Sequence, residues 1–109
     1  MPIGCGMALA AKRDGSLRRV FVMLSDGECD EGSNWEAVQY AGRIELDPLT
    51  VVVVDNRSAR HGWPGGIAAR FELEGWSADV VDGRDHRALE HALKRRTGSP
   101  HVVVAEIPR

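Results

Sequence analysis

The sequence predicts an α/β fold, a mostly parallel β-sheet flanked by helices. Three observations predict it. The apolar run Val20-Phe21-Val22-Met23-Leu24 stops abruptly at Ser25-Asp26-Gly27. A second run, Thr50 to Val54, stops equally abruptly at Asp55-Asn56. Between them lies one helical pattern, as expected of two buried parallel strands joined by a crossover helix.

Taken in order, residues 1 to 12 read as a short helix of small residues (Met7, Ala8, Leu9, Ala10, Ala11) ended by Asp14-Gly15. Gly4-x-Gly6 lacks both a preceding strand and a third glycine, so it is no dinucleotide fingerprint and reads as close helix packing. After the first strand comes an acidic loop, Glu28-Cys29-Asp30-Glu31-Gly32. Ser33-Asn34-Trp35-Glu36 fits a capping box opening the crossover helix. Trp35, Val38, Ala41 and Ile44 form its apolar stripe, and it ends before Asp47-Pro48. Residues 57 to 66, rich in Gly and Pro, read as a long loop of the kind that covers ligands.

Ile67 to Glu74 reads as a short helix, Trp76 to Val81 as a third strand, and Asp85 as the cap of a helix with Ala88, Leu89, Ala92 and Leu93 inward. His101 to Ile107 is a fourth strand. Alternating strands and helices favour a mostly parallel sheet with right-handed crossovers. The 109 residues contain no repeat, linker or low-complexity stretch. They read as one domain, which buries roughly 60–70% of its unfolded surface.

A net charge of −2 argues against nucleic acid as a partner. No apolar run approaches the roughly 20 residues that span a membrane, and no signal-peptide pattern opens the sequence. Cys5 and Cys29 have no metal spacing and are expected to stay reduced, which points to the cytoplasm.

In a parallel sheet the carboxyl ends of the strands share one edge, and ligands bind there. Asp26 and Asn56 would meet on that edge as two hard oxygen donors. Magnesium takes six oxygens, commonly one or two carboxylates completed by phosphate oxygens and water. Asp26, the Asn56 amide and a loop carbonyl, most simply that of Ser58, supply half such a shell. Gly27 lets a phosphate approach the backbone, and the following helix adds a favourable dipole if its N-terminus faces the anion. By spacing alone, both segments are equally well read as ordinary strand-ending turns.

Ser25-Asp26-Gly27, Glu31-Gly32, Trp35-Glu36-Ala37 and Asp55-Asn56, at this spacing, resemble the thiamine diphosphate motif of transketolases. Phe71-Glu72-x-x-Gly75-Trp76 and Val80-Val81-Asp82-Gly83-x-Asp85 resemble the segments after that motif, and Gly4-x-Gly6-Met7-Ala8-x-Ala10 resembles the helix before it. The resemblance spans nearly the whole chain. It implies a thiamine diphosphate-binding fold in which Asp26, Asn56 and the Ser58 carbonyl hold magnesium. Ser25, Gly27 and Glu28 are then the cofactor-side loop, with Gly27 on the diphosphate. Glu31 and Glu36 would be the buried acids near the contact with a second cofactor domain, and the catalytic candidates of this chain.

Three departures accompany the resemblance. Ser25 stands where the family has the first glycine of its motif. The glycine-rich segment that normally precedes the first helix is absent. The sequence also stops where the family continues into another glycine-containing loop. Residues 1–109 are therefore expected to be a single but partial diphosphate-binding domain.

The resemblance implies ketol transfer between sugar phosphates, carried out with a pyrimidine-binding transketolase-like subunit or within a homo-oligomer. The alternative is a non-catalytic, truncated relative acting as an interaction module. An unrelated nucleotide-binding α/β protein lacks its phosphate-loop motif. A calcium loop at Glu28–Glu31 fails on the positions of Gly32 and of the closing glutamate. His61, His86 and His91 read as surface groups, Arg57 and Arg60 as loop charges able to attract phosphate. Trp35 and Trp76 read as core, Trp63 as a partner or substrate contact. Cys29, placed among acids, is a poor nucleophile.

Overall fold

The computed structural model describes residues 1–56 and 66–107. The described strands form one parallel sheet in the order β1-β2-β4-β3. They are β1 (Val20–Ser25), β2 (Leu49–Asp55), β3 (Ser77–Asp82) and β4 (His101–Glu106). The α-helices are α1 (Pro2–Arg13), α2 (Gly32–Arg43), α3 (Gly66–Leu73) and α4 (His86–Lys94). A 3₁₀ turn, Gly27–Asp30, joins β1 to α2.

The side-chain alternation of the strands divides the helices between the two faces. One core joins Cys5 and Ala8 of α1, Trp35, Val38 and Ala41 of α2, and Ile67 and Phe71 of α3 to Leu49, Val51, Val53, Val102 and Val104. Ala92 of α4 is buried apart from that cluster, against the opposite face where Val103 and Ala105 point. Close approach explains two glycines. A Cβ on Gly4 would lie 2.3 Å from Val22 Cγ2, so α1 sits directly on β1. A Cβ on Gly42 would lie 1.7 Å from the Glu74 carbonyl oxygen, so the end of α2 rests on the Glu74-Gly75 turn, where Gly75 has a φ of +89°.

Three expectations need correction. Of the two strands read as buried, only β2 is central. β1 is the outermost described strand and is covered on one side, so Val20 and Leu24 are buried while Phe21 and Met23 are 51% and 73% exposed. The capping box at Ser33 does not form, and no described side chain caps α2. Glu31 is extended (φ −84°, ψ 124°), which makes it the N-cap and puts Ser33 inside the first turn. Trp76 precedes β3 instead of opening it. Its ring packs edge-on to Phe71 at 5.0 Å, and its indole N–H donates to the Val38 carbonyl at 2.9 Å. Asp85 does cap α4, its carboxylate accepting from the Ala88 N–H at 3.1 Å.

Candidate functional site

The parallel register brings the two predicted ligand segments to one edge. Ser25 pairs with Val54 at the carboxyl ends of β1 and β2. The ladder continues one step further, with the Asp26 N–H donating to the Val54 carbonyl at 3.0 Å. Asn56 follows two residues beyond that carbonyl. Asp26 and Asn56, thirty positions apart in sequence, thus close adjacent strands at the same edge. Asp26 is 1% exposed, an unusual setting for a carboxylate in a chain of this size. Asn56 is half-buried. Ser58, with Arg57, Arg60, His61 and Trp63, lies outside the described residues.

The loop after Asp26 is tied down from both ends. The Ser25 N–H and hydroxyl both donate to Glu28 Oε1 at 3.1 Å, and the Glu28 N–H donates back to Ser25 Oγ at 3.2 Å. This is the reciprocal arrangement of a capping box, formed by Ser25-x-x-Glu28 instead of Ser33-x-x-Glu36. The hydrogen bond from the Ser25 backbone, followed by that from its hydroxyl, holds the Glu28 carboxyl below its usual value. From the other side, Asn34 Nδ2 donates to the Glu28 carbonyl at 2.9 Å and the Trp35 indole N–H donates to the Cys29 carbonyl. Arg70 stacks over the Trp35 ring at 4.9 Å, and Phe71 meets that ring at 5.1 Å. An aromatic column from α3 through α2 therefore supports the loop. Hydrophobic periodicity assigns Trp35 to the core but carries no sign that it also braces the site.

Gly27 begins the 3₁₀ turn and is half-buried. Glu31 and Glu36, expected as buried acids, are exposed in this chain. Glu36 lines a groove of about 400 Å³ between α1 and α2, together with Cys5, Leu9, Ser33, Ala37 and Tyr40. Burial of Glu36 therefore requires another surface over that groove. Cys29 is 1% exposed and bonded through Sγ to the Ser25 carbonyl at 3.7 Å, a structural position.

The donor set suits a hard cation that is shared with its ligand. Among the described residues no three His, Cys, Asp or Glu side chains stand together as a metal cluster. One carboxylate and one amide at a strand edge leave most of an octahedral shell to backbone, phosphate and water, as magnesium sites do.

Residues 10–105 match the family model described as transketolase, thiamine diphosphate binding domain. The chain belongs to the transketolase family. It is 44% identical over its whole length to a protein named ferredoxin fas2 from Rhodococcoides fascians, of which it covers 36%. It is 34% identical over 96% of its length to a subunit of apulose-4-phosphate transketolase from Actinobacillus succinogenes, covering 41% of that protein. Among solved structures, a transketolase mutant from Pichia stipitis superimposes on 94% of the chain with a TM-score of 0.84 and 27% identity. The chain covers 18% of that transketolase. It thus spans about two fifths or less of the relatives it matches. The name ferredoxin finds no counterpart in these 109 residues, whose two cysteines are half of the four thiolates that an iron–sulfur cluster takes. The fold expectation holds: this is an α/β domain of the transketolase N-terminal type, with a parallel sheet between helices.

Proposed function

We propose that this chain is the diphosphate- and magnesium-binding part of a transketolase-like enzyme that moves two-carbon ketol units between sugar phosphates, completed by a pyrimidine-binding partner. The observation that carries the reading is that buried Asp26 and half-buried Asn56 close adjacent parallel strands at the same carboxyl edge, inside a thiamine diphosphate-binding family domain. Asp26 and the Asn56 amide oxygen, with the Ser58 carbonyl, would hold magnesium against the diphosphate. Gly27 would offer its N–H to a phosphate oxygen, and the Ser25–Glu28 bracket would keep that turn in place. Thiamine diphosphate, when bound, supplies the nucleophilic carbon and the electron sink of ketol transfer. This chain's own part is to bind, orient and neutralise charge.

The partner reading rests on two supports. One relative is named as a transketolase subunit. Glu31 and Glu36 are acids on an open face, Glu36 beside an apolar groove. The second reading, a non-catalytic interaction module, keeps that face and dispenses with the edge at Asp26.

Calorimetric titration of thiamine diphosphate with and without magnesium separates the two readings. Binding is expected only with the metal, because a single carboxylate holds magnesium weakly on its own. Asp26→Ala should abolish it. Ketol transfer should appear only when a pyrimidine-domain partner is added, and should fall with Glu31→Gln. Equal affinity without magnesium, or turnover by the chain alone, would overturn the proposal.

A further inference from the structure

A second polar centre lies at the opposite, N-terminal end of the strands, remote from Asp26. His101 opens β4 and is 2% exposed, in register with Thr50 of β2 and Ser77 of β3. Its Nδ1 lies 2.7 Å from Ser77 Oγ and its Nε2 lies 2.9 Å from Asp79 Oδ2. The other oxygen of Asp79 accepts from Arg95, which caps the end of α4, at 2.6 Å. Thr97 Oγ1 stands 2.9 Å from Ser77 Oγ. We propose that His101 is a pH-sensitive latch on the β3–β4 edge, which in its neutral form ties Ser77, Asp79 and the end of α4 together and which releases them when it is protonated.

The hydrogen-bond chain selects one tautomer. An ionised carboxylate only accepts, so Nε2 carries the proton and Nδ1 is bare. The bare Nδ1 then accepts from the Ser77 hydroxyl, which can itself accept from Thr97. Protonating Nδ1 reverses the first link. Ser77 must turn its hydrogen away, toward Thr97 Oγ1 at 2.9 Å, whose own hydrogen then goes to the Ser99 carbonyl, or toward the Pro100 carbonyl at 3.3 Å.

The charges around the ring oppose that step. The charged groups facing it are Asp79 from β3, Arg95 from the end of α4 and Arg19 from the segment before β1. Arg19 is fixed there by bonds to Thr50 Oγ1 at 3.3 Å and to the Arg95 carbonyl at 3.0 Å. A charged His101 would face two further cations, Arg95 and Arg19, and would share a carboxylate that Arg95 already occupies. Burial is the main cause pushing the ring below its usual 6.5, Asp79 pulls it up, and Arg95 and Arg19 push it further down.

The unfolded chain therefore binds the proton more readily than the folded one. The latch contributes fully above pH 6.5 and is lost progressively as pH falls below that value. Among the described strands β3 pairs with β4 alone, so the loosening is expected there first.

The test follows the His101 Cε1–H resonance from pH 8 to pH 5 in the folded chain and in the urea-unfolded chain, and measures the melting temperature over the same range. His101 is expected to titrate lower in the folded chain than in the unfolded one. The melting temperature should drop by about 5–10 °C for each pH unit by which folding depresses His101. Exchange of the Ser77 amide, bonded to the Pro100 carbonyl at 3.0 Å, should rise in acid before that of β2. His101→Gln keeps a donor toward Asp79 but cannot charge, and should flatten the melting profile. Titration of His101 in the folded chain at or above its position in the unfolded chain overturns the proposal even if the variant fails to fold. An unchanged profile in a folded His101→Gln overturns it as well.

Discussion

Ser25→Gly puts back the glycine with which the transketolase motif opens, and it removes the hydroxyl that closes the Ser25–Glu28 bracket. Two effects oppose each other. If the turn needs the conformational freedom of glycine, the change should tighten cofactor binding. Ser25 does not need it: Glu45 is the one non-glycine residue with a positive φ among the described residues, and Ser25 ends a regular strand. What the change removes is the donation from Ser25 Oγ to Glu28 Oε1 and the acceptance of the Glu28 N–H. Losing a hydroxyl cap costs about 1 kcal/mol when alanine replaces it and a few tenths when glycine does. Added backbone freedom costs glycine roughly another 0.5–1 kcal/mol. Both variants should therefore lose about 1 kcal/mol, seen as a fall of about 4–8 °C in melting temperature.

If the loop must be re-ordered when cofactor binds, the same energy appears as a Kd raised about fivefold. The acid limb adds a check. The bracket holds Glu28 below its usual 4.5, so it contributes above that pH and is lost as pH falls through and below it. The backbone N–H of Ser25 is the larger cause and survives in both variants, so the acid dependence should be reduced and not removed. The assay is calorimetric titration of thiamine diphosphate with magnesium on the natural chain, Ser25→Gly and Ser25→Ala. Tighter binding by Ser25→Gly alongside weaker binding by Ser25→Ala would refute the argument, because backbone freedom would then outweigh the bracket.

Gly42→Ala should destabilise by about 2 kcal/mol or more, as its Cβ would sit 1.7 Å from the Glu74 carbonyl oxygen and push α2 off the turn at Gly75; urea unfolding measures it. Trp35→Phe keeps a ring against Phe71 but takes the indole N–H away from the Cys29 carbonyl. A loss of about 1–3 kcal/mol is expected, with weaker magnesium-dependent cofactor binding because the loop loses a brace. An unchanged Kd in a stable Trp35→Phe would separate the aromatic column from the site.

Much of the fold is legible because the strands announce themselves. β2, at the centre of the sheet, is an unbroken run of Leu, Thr and Val before Asp55, and the turn residues after each strand fall where the chain reverses. The exposure of β1 is not legible, since Val20 to Leu24 is as apolar as a central strand and only the sheet order reveals that one face is bare. The capping box is ambiguous between two copies of the same pattern. Ser25-x-x-Glu28 and Ser33-x-x-Glu36 are equivalent in sequence, and what separates them is that the chain leaves a strand at Ser25 but is already helical at Ser33. Asp26 and Asn56 are legible as a pair because parallel pairing carries strand-end residues to a common edge. His101 is hidden inside an apolar strand pattern, although Ser77 and Asp79, two apart on a strand, must share a face. That polar i, i+2 pair is the signal that could expose it.

The two ends of the sheet follow from one topology put to different uses. At the carboxyl ends the β1–β2 ladder runs on to Asp26, and Asp26 and Asn56 stand where two connections leave the sheet, beside a turn braced by Trp35 and Phe71. At the amino ends Thr50, Ser77 and His101 stand in register, and their side chains bond to one another's neighbours, to Arg19 and to Asp79, which Arg95 holds. The carboxyl end offers hard oxygens in the donor types that magnesium and a diphosphate use. The amino end offers a ring whose two nitrogens are both engaged and almost wholly shut off from solvent, so the agent able to change it is a proton. Chemistry, and not position alone, is why the first edge reads as a binding site and the second as a pH-dependent part of the fold.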